Sequence, residues 1–577
     1  MRAACCAALL TISLVGLVGP EGAGAATTAA TQPALGTAVA PLDGPLAAPI
    51  SALARGDELL APQSLDRVPP GHRLTGARAG AISDRIEEVR HEQRRYPGST
   101  REVFQKGGDR WQISYFAKVP AGAPRKEIAQ VVIDDRTGKV LEAYTNYKVA
   151  WTMARGYPGA FGRIVNSPIV WIPLAVLFVA PFAVPRRRLR VLHLDLLVLS
   201  AFSISLACFN AARIDWSVPL VYPLLVYLAG RMLWIGLRRR DAEEPDAPTR
   251  PLELLVPVTW LAVAVVFLLG FRVALNVTRS NVIDVGYAGV IGADRFGDGR
   301  ALYGQFPRDN QNGDTYGPVV YAAYVPFEQA VPWTGKWDDL PAAHMAAIAF
   351  DLLACLLCFL VGRRVRGPDL GIVLAYCWVT FPFTLYASMT NSNDALVAVL
   401  VLAALWAASR PLARGGLLAL AGLTKFAPLL LVPLFAFHPR PSGRAVVRFT
   451  AGFVLLAALA FVPLLANNSL RSFWEASIAF QAGRGSPFSV WGLYEGAWID
   501  AVQLGVQALA VLGAVVLAFV PRRRDVVGLA ALSAAVLIAL QLGVTHWFYL
   551  YVPWFFPLVM IALLGRFGPP VRVPVRR

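Results

Sequence analysis

Long apolar runs separated by short basic clusters set the pattern of this chain beyond residue 166. Eleven such runs lie near 167–185, 191–210, 217–237, 254–276, 342–362, 369–389, 392–409, 446–466, 498–520, 526–545 and 547–565. Each is long enough, or nearly so, to cross a bilayer as a helix. A further apolar stretch, 413–437, is flanked by Arg410 and Arg414 on one side and by Arg440, Arg444 and Arg448 on the other. If it crossed fully, Arg522 to Arg524 and the C-terminal arginines would lie on the opposite side of the membrane from the other basic clusters. If it enters and returns, every cluster falls on the cytoplasmic side, as the positive-inside rule asks. Thr424-Lys425-Phe426-Ala427-Pro428 sits at its middle and supplies a break. A re-entrant hairpin is therefore expected, with full crossing as the alternative.

The pattern before the spans is different. Residues 1–25 read as a secretory signal: Arg2, an apolar core from Ala3 to Val18, and the small-residue site Ala23-Gly24-Ala25. An uncleaved first helix is the alternative, and either places the following chain outside the cytoplasm. Residues 26–78, rich in Ala, Pro, Gly and Thr, read as a flexible lead-in. Ala81 to Arg95 fits an amphipathic helix, and Arg110 to Lys118 alternates as a strand. Glu127 to Ala143 reads as strand, turn and strand about Thr137-Gly138. A small extracytoplasmic α+β domain over 79–160 follows. Its Ile133 to Val140 stretch, an acidic strand end before a Thr-Gly turn, resembles the PepSY pattern. Three accessory spans then occupy 167–250, a larger helical unit 254–565, and a basic tail 566–577. No repeat period is visible.

Composition fits this layout. The chain has 577 residues, 56% hydrophobic and 16% charged, with a net charge of +17. That charge resides in arginine clusters between spans, which accounts for it without nucleic acid. Of six cysteines, Cys5 and Cys6 lie in the signal, and Cys208, Cys355, Cys358 and Cys377 in apolar runs, so no exported disulfide framework exists. Cys355 and Cys358 read as small core residues.

Candidate chemistry gathers on the outward side. The loop 277–341 carries eight acidic residues between two spans, and Asp284 follows the end of the first. A carboxylate there is placed to accept a proton from a hydroxyl, though a solvated loop acid looks the same. Lys425 lies within an apolar stretch, where a cation is costly and so is paired, functional or snorkelling. Asp314, Arg484 in the loop 467–497, and His546 at an outer span end are further polar candidates. Asn391, Asn393 and Asp394 begin a span and read as its cap; alternatively Asn393 and Asp394 hold ligand hydroxyls. Trp491 and Tyr494 read as interface anchors. Asp294, Asp298, Asp309 and Asp314 lack metal-ligand spacing, so no metal or other cofactor is expected.

The order of these residues resembles the GT-C glycosyltransferases, nearest to glycosyltransferase family 87. The resemblance rests on Asp284-Val285-Gly286-Tyr287, Gly299, Leu302-Tyr303, Tyr316-Gly317-Pro318 and Pro326, then Asn391-Ser392-Asn393-Asp394, Leu423 to Pro428, and His546-Trp547-Phe548-Tyr549. It covers roughly 254–565 and implies a polytopic, all-α membrane bundle in the cytoplasmic membrane. It also implies transfer of a sugar, mannose by the nearest match, from a polyprenyl-phosphate donor to a cell-envelope glycan or glycolipid. In that scheme Asp284 is general base and Lys425 steadies the leaving phosphate. Tyr287, Asp314, Tyr316, Asn393, Asp394, Arg484 and His546 would bind substrate. The rival readings are a lipid or solute transporter, disfavoured by polar residues crowding one face, and a sensor working through its exported domain.

Overall fold

The computed structural model describes residues 59–120, 125–156, 163–184, 190–238, 250–467, 470–494, 496–520 and 523–572. The expected signal and most of the expected lead-in lie outside the described residues. The chain divides into two units, one ending at Gly156 and the other beginning at Tyr157.

In the first unit five strands form one sheet in sequence order. They are β1 (Leu59–Leu60), β2 (Thr100–Lys106), β3 (Arg110–Phe116), β4 (Glu127–Asp134) and β5 (Val140–Thr145), all antiparallel. Two helices join them, α1 (Gly76–Ser83) and α2 (Glu87–Arg95). This fits an α+β domain. Its folded part reaches back to Leu59, into the stretch expected as lead-in. The single helix expected over 81–95 is two helices, because Ile86 is extended and the first starts earlier, where the Thr75 side chain accepts the Arg78 amide. Strand β2 escapes the sequence reading because its residues are mostly polar and only Val103 is fully buried. The core is Trp111, Ile113, Tyr115, Val131 and Ile133. Buried Asp135 accepts Trp111 Nε1 at 2.8 Å and the amides of Arg73 and Leu74 at 2.6 and 3.0 Å. Its carboxylate thereby fastens the segment before α1 to the sheet.

The second unit is a helical bundle. Among the described residues, seven helices are long and apolar enough to cross a membrane: α4 (Val191–Asn210), α5 (Ile214–Leu237), α6 (Val258–Arg279), α9 (Pro341–Arg366), α15 (Gly443–Ala466), α16 (Ala497–Val516) and α17 (Val526–Gly543). An eighth is a pair, α10 (Pro368–Thr380) and α11 (Pro382–Met389), bent by 58°. The bend follows from Pro382, which cannot donate within a helix. Three positions expected as full spans hold shorter apolar helices: α3 (Pro168–Val179), α12 (Asp394–Trp406) and α18 (Val552–Leu564). The loop between α6 and α9 also contains two helices, α7 (Asp284–Gly297) and α8 (Pro318–Ala330).

The stretch 413–437 is broken into α13 (Pro411–Gly422), a 3₁₀ turn Ala427–Leu431 and α14 (Val432–Ala436). Arg414, near its start, donates to the Ala436 carbonyl at 3.4 Å, so the segment returns to the end it left. Small residues allow α13 to lie directly on α15. A Cβ on Gly415 would meet the Phe449 carbonyl oxygen at 2.1 Å, and one on Gly452 the Leu412 oxygen at 2.0 Å. Such backbone contact is how membrane helices associate without hydrophobic drive.

The two ends of the bundle differ. At one, Arg364 bonds Trp406 O and Ser409, Arg366 bonds Gly565 O, and Arg524 bonds Pro439 O. A parallel pair of strands, β6 (Pro251–Leu254) and β7 (Gly568–Arg572), links the segment before α6 to the segment after α18. Between the ends sits a buried ion pair that the sequence reading overlooked. Arg272 donates to both Asp351 oxygens at 2.8 and 2.5 Å, and Trp378 Nε1 adds a third bond at 2.9 Å. Arg272 also reaches the Val379 carbonyl at 3.2 Å, a carbonyl left without a helix partner by the bend.

Candidate active site

At the other end, turns from separate parts of the chain are held side by side by their backbones. The segment before α7 pairs with the turn before α12: the Asn281 amide donates to Met389 O and that of Ile283 to Thr390 O, both at 3.2 Å. Asn391 takes a left-handed φ of 51°, a conformation that Asn tolerates better than most residues. Its amide group bonds Ser280 Oγ, Asn281 O and, as acceptor, Asn276 Nδ2 at 2.8–3.0 Å. Gly286 must be glycine here, since a Cβ would sit 2.3 Å from Asn391 O. These contacts bring Asp284 beside Asp394.

A second pairing brings Tyr316 beside Lys425. The amides of Gly317 and Val319 donate to Thr424 O and Leu423 O at 3.3 and 3.2 Å. A Cβ on Gly317 would fall 1.9 Å from Leu423 O, so the backbones touch. Lys425 stands at the break in the hairpin and bonds Asp394 Oδ1 at 2.5 Å. Three rings surround its ammonium, Tyr316 and Trp554 at 5.3 Å and Tyr551 at 5.8 Å. Trp554 Nε1 donates to the same Asp394 oxygen at 2.9 Å. This lysine is enclosed rather than snorkelling to an interface.

Arg484 and His546 complete the group. Arg484 follows a π-helical turn, Trp474–Ala479, and its guanidinium lies 5.9 Å over the Phe480 ring. His546 Nδ1 bonds Ser486 Oγ at 2.9 Å. The accessory helices steady this part of the site. Tyr549 Oη is shared with Ser205 and Ser217 at 2.7 Å each, and Tyr222 Oη accepts the Val490 amide at 3.2 Å.

The charges act on one another. Burial pushes the Asp284 carboxyl above the ordinary range, while Arg484 first, then the Val285 amide and then Lys425 pull it back, and Asp394 adds to the rise. Burial holds the His546 imidazole well below its ordinary value, with Arg484 and Lys425 adding to the effect, so it is neutral near pH 7. The Tyr316 hydroxyl stays protonated, raised by burial and then by Asp284 and Asp394. The arrangement offers a carboxylate poised to take a proton, two cations and a neutral imidazole able to face an anion.

Asp284, Tyr316, Asn393, Asp394, Lys425, Arg484 and His546 thus share one end of the bundle. Two residues expected with them do not join. Tyr287 is fully buried in the loop, bonded to Asp309 Oδ2 at 3.1 Å and packed on Trp333 and Trp337. It stands on the same helix face as Asp284 by spacing, but its ring and hydroxyl are taken up by these loop residues. Asp314 accepts the Gly304 amide at 2.6 Å beneath Tyr303 and Tyr321 and organises the loop instead. Asn393 makes no side-chain cap on α12. Trp491 Nε1 donates to Leu542 O at 2.7 Å, whereas Tyr494 is exposed. The sequence reading passes over Tyr551 and Trp554, since nothing in an apolar run marks which aromatics meet a charge, although an acidic Asp394 at a span start signals that donors are needed. Among the described residues, no group of three His, Cys, Asp or Glu side chains is gathered for a metal ion.

Residues 315–544 match the model of glycosyltransferase family 87. The matched segment holds Tyr316, Asn393, Asp394, Lys425 and Arg484; Asp284 and His546 stand outside it. No curated protein matches the chain.

Proposed function

Proceeding from a membrane glycosyltransferase, which the family match supports, we propose that this chain moves one sugar from a polyprenyl-phosphate donor to a cell-envelope acceptor. Mannose is the sugar the resemblance to family 87 favours. The reaction would take place at the outer face of the cytoplasmic membrane, where the N-terminal α+β unit would also lie. The observation that carries the reading is the meeting of the Asp284 carboxylate with Arg484, Lys425 and His546 at the end of the bundle away from the arginine clusters.

In this scheme the acceptor hydroxyl gives its proton to Asp284 as its oxygen attacks the anomeric carbon. The bond from that carbon to the phosphate oxygen breaks, and polyprenyl phosphate leaves with the electron pair. Charge grows on the phosphate in the transition state, so fixed cations lower the barrier more than they tighten substrate binding. Arg484 faces Asp284 electrostatically and is the first candidate for that role. Lys425 is paired with Asp394 and contributes by exchanging part of that bond for the phosphate. Neutral His546 donates a hydrogen bond without adding charge that would weaken the base.

The test is sugar transfer from radiolabelled polyprenyl-phosphate mannose in membranes carrying wild type or Asp284→Asn. Loss of roughly 10²–10⁴ in rate is expected for removal of a general base. Equal transfer by both proteins would overturn the assignment.

A further inference from the structure

Beside this constellation, four buried polar atoms lack a partner among the described residues: both side-chain atoms of Asn393, Oδ2 of Asp394, and the hydroxyl of Tyr324. All three residues are completely buried. Their neighbourhood is fixed by one glycine-lined face of α7. Gly286 lies against Asn391, two residues before Asn393, and Gly289 lies against the Tyr324 ring, where a Cβ would come within 2.6 Å. The Asp394 charge acts on Tyr324, and the other Asp394 oxygen is already taken by Lys425 and Trp554.

Leaving a buried donor or acceptor unmade costs about 1–3 kcal/mol each, and native proteins rarely leave such atoms together without a reason. The donor set narrows what would satisfy them. An apolar group would leave the cost in place. An anion would meet the Asp394 carboxylate, and a cation would meet Lys425. A neutral ligand bearing several hydroxyls fits: it donates to Asp394 Oδ2 and Asn393 Oδ1 and accepts from Asn393 Nδ2 and Tyr324 Oη.

We propose that Tyr324, Asn393 and Asp394 form the pocket that reads the hydroxyls of the transferred hexosyl ring and so set which sugar is accepted. The inference rests on the glycosyl-transfer reading above and extends it to sugar choice. The Tyr324 ring packs on Gly289 and Phe350, while its hydroxyl is left to act as a specificity contact near the Asp284 end of α7, where the anomeric carbon must be presented.

The experiment uses the purified full-length protein with two donors that differ only at C2, polyprenyl-phosphate mannose and polyprenyl-phosphate glucose. Tyr324→Phe keeps the ring in its seat and removes one oxygen; Asn393→Leu keeps the volume and removes the amide. Each is expected to raise KM for the preferred donor about tenfold, the worth of one lost hydrogen bond. Each should also move the ratio of kcat/KM for the two sugars toward unity. If either variant folds, by its thermal transition and elution profile, and retains both the wild-type KM and the wild-type ratio, those atoms hold only water and the proposal is overturned. A wild type that transfers neither sugar would overturn the glycosyl-transfer reading and this pocket with it.

Discussion

The Asp394–Lys425 pair gives the sharpest test of the site's construction. Their side chains are 1% and 11% exposed and 2.5 Å apart. Changing Lys425 to Met leaves a buried carboxylate whose only described donor is Trp554 Nε1. Breaking a buried pair from one side costs about 3–5 kcal/mol, because the remaining charge stays desolvated. The opposite change, Asp394→Asn, leaves an ammonium among three aromatic rings. Cation–π attraction there offsets part of the loss, by about 2 kcal/mol when desolvated, so this variant is expected to be the less destabilised. The double variant removes both charges, and an amide oxygen in place of Oδ1 still accepts from Trp554. It should regain most of the wild-type stability while transfer remains lost, since the cation is gone. Equilibrium unfolding in mixed detergent, read alongside transfer on the same preparations, completes the cycle. A cost for Lys425→Met below about 1 kcal/mol would be that of an exposed pair and would refute the enclosed geometry. Recovery of transfer in the double variant would show that Lys425 only holds the fold.

Four further outcomes are expected. Gly317→Ala places a methyl 1.9 Å from Leu423 O and should separate Tyr316 from Lys425, cutting transfer far more than it lowers the thermal transition. Asp284 must be ionised to act as base and its carboxyl is raised by burial, so kcat/KM should fall on the acid side at a higher pH than for an ordinary carboxylate. Arg484→Gln removes the strongest charge opposing that rise and should shift the acid limb further up; an unmoved or lowered limb would contradict the arrangement. Ser217→Ala removes one of two hydroxyls bonded to Tyr549. It should cost about 1 kcal/mol and lower kcat through the neighbouring His546, whereas unchanged kcat would mean that the accessory helices do not steady the site.

The order of helices and the gathering of polar residues at one end were legible because both follow from hydropathy and from where arginines are tolerated. Asp284, Asp394 and Lys425 announce themselves for the same reason: a charge at the margin of an apolar run is expensive and must be answered. What answers it was not legible. The partners of Lys425 are 31 residues away at Asp394 and more than 120 away at Tyr551 and Trp554, and no local period couples them. The backbone pairings that carry the site, 281–283 with 389–390 and 317–319 with 423–424, leave only glycines as their trace. Gly286 and Gly317 were read as family motif, yet each is required because another backbone occupies the space of a Cβ. Tyr287 fails in the opposite direction. It was attached to Asp284 by spacing along the chain, but the helix that begins at Asp284 turns it onto Asp309 and the tryptophans of the loop. A shared helix face does not make a shared site when the loop around it supplies other partners. Gly286 and Gly289, likewise three apart, meet the Asn391 backbone and the Tyr324 ring instead, so what each position of α7 faces is decided by the partner brought to it.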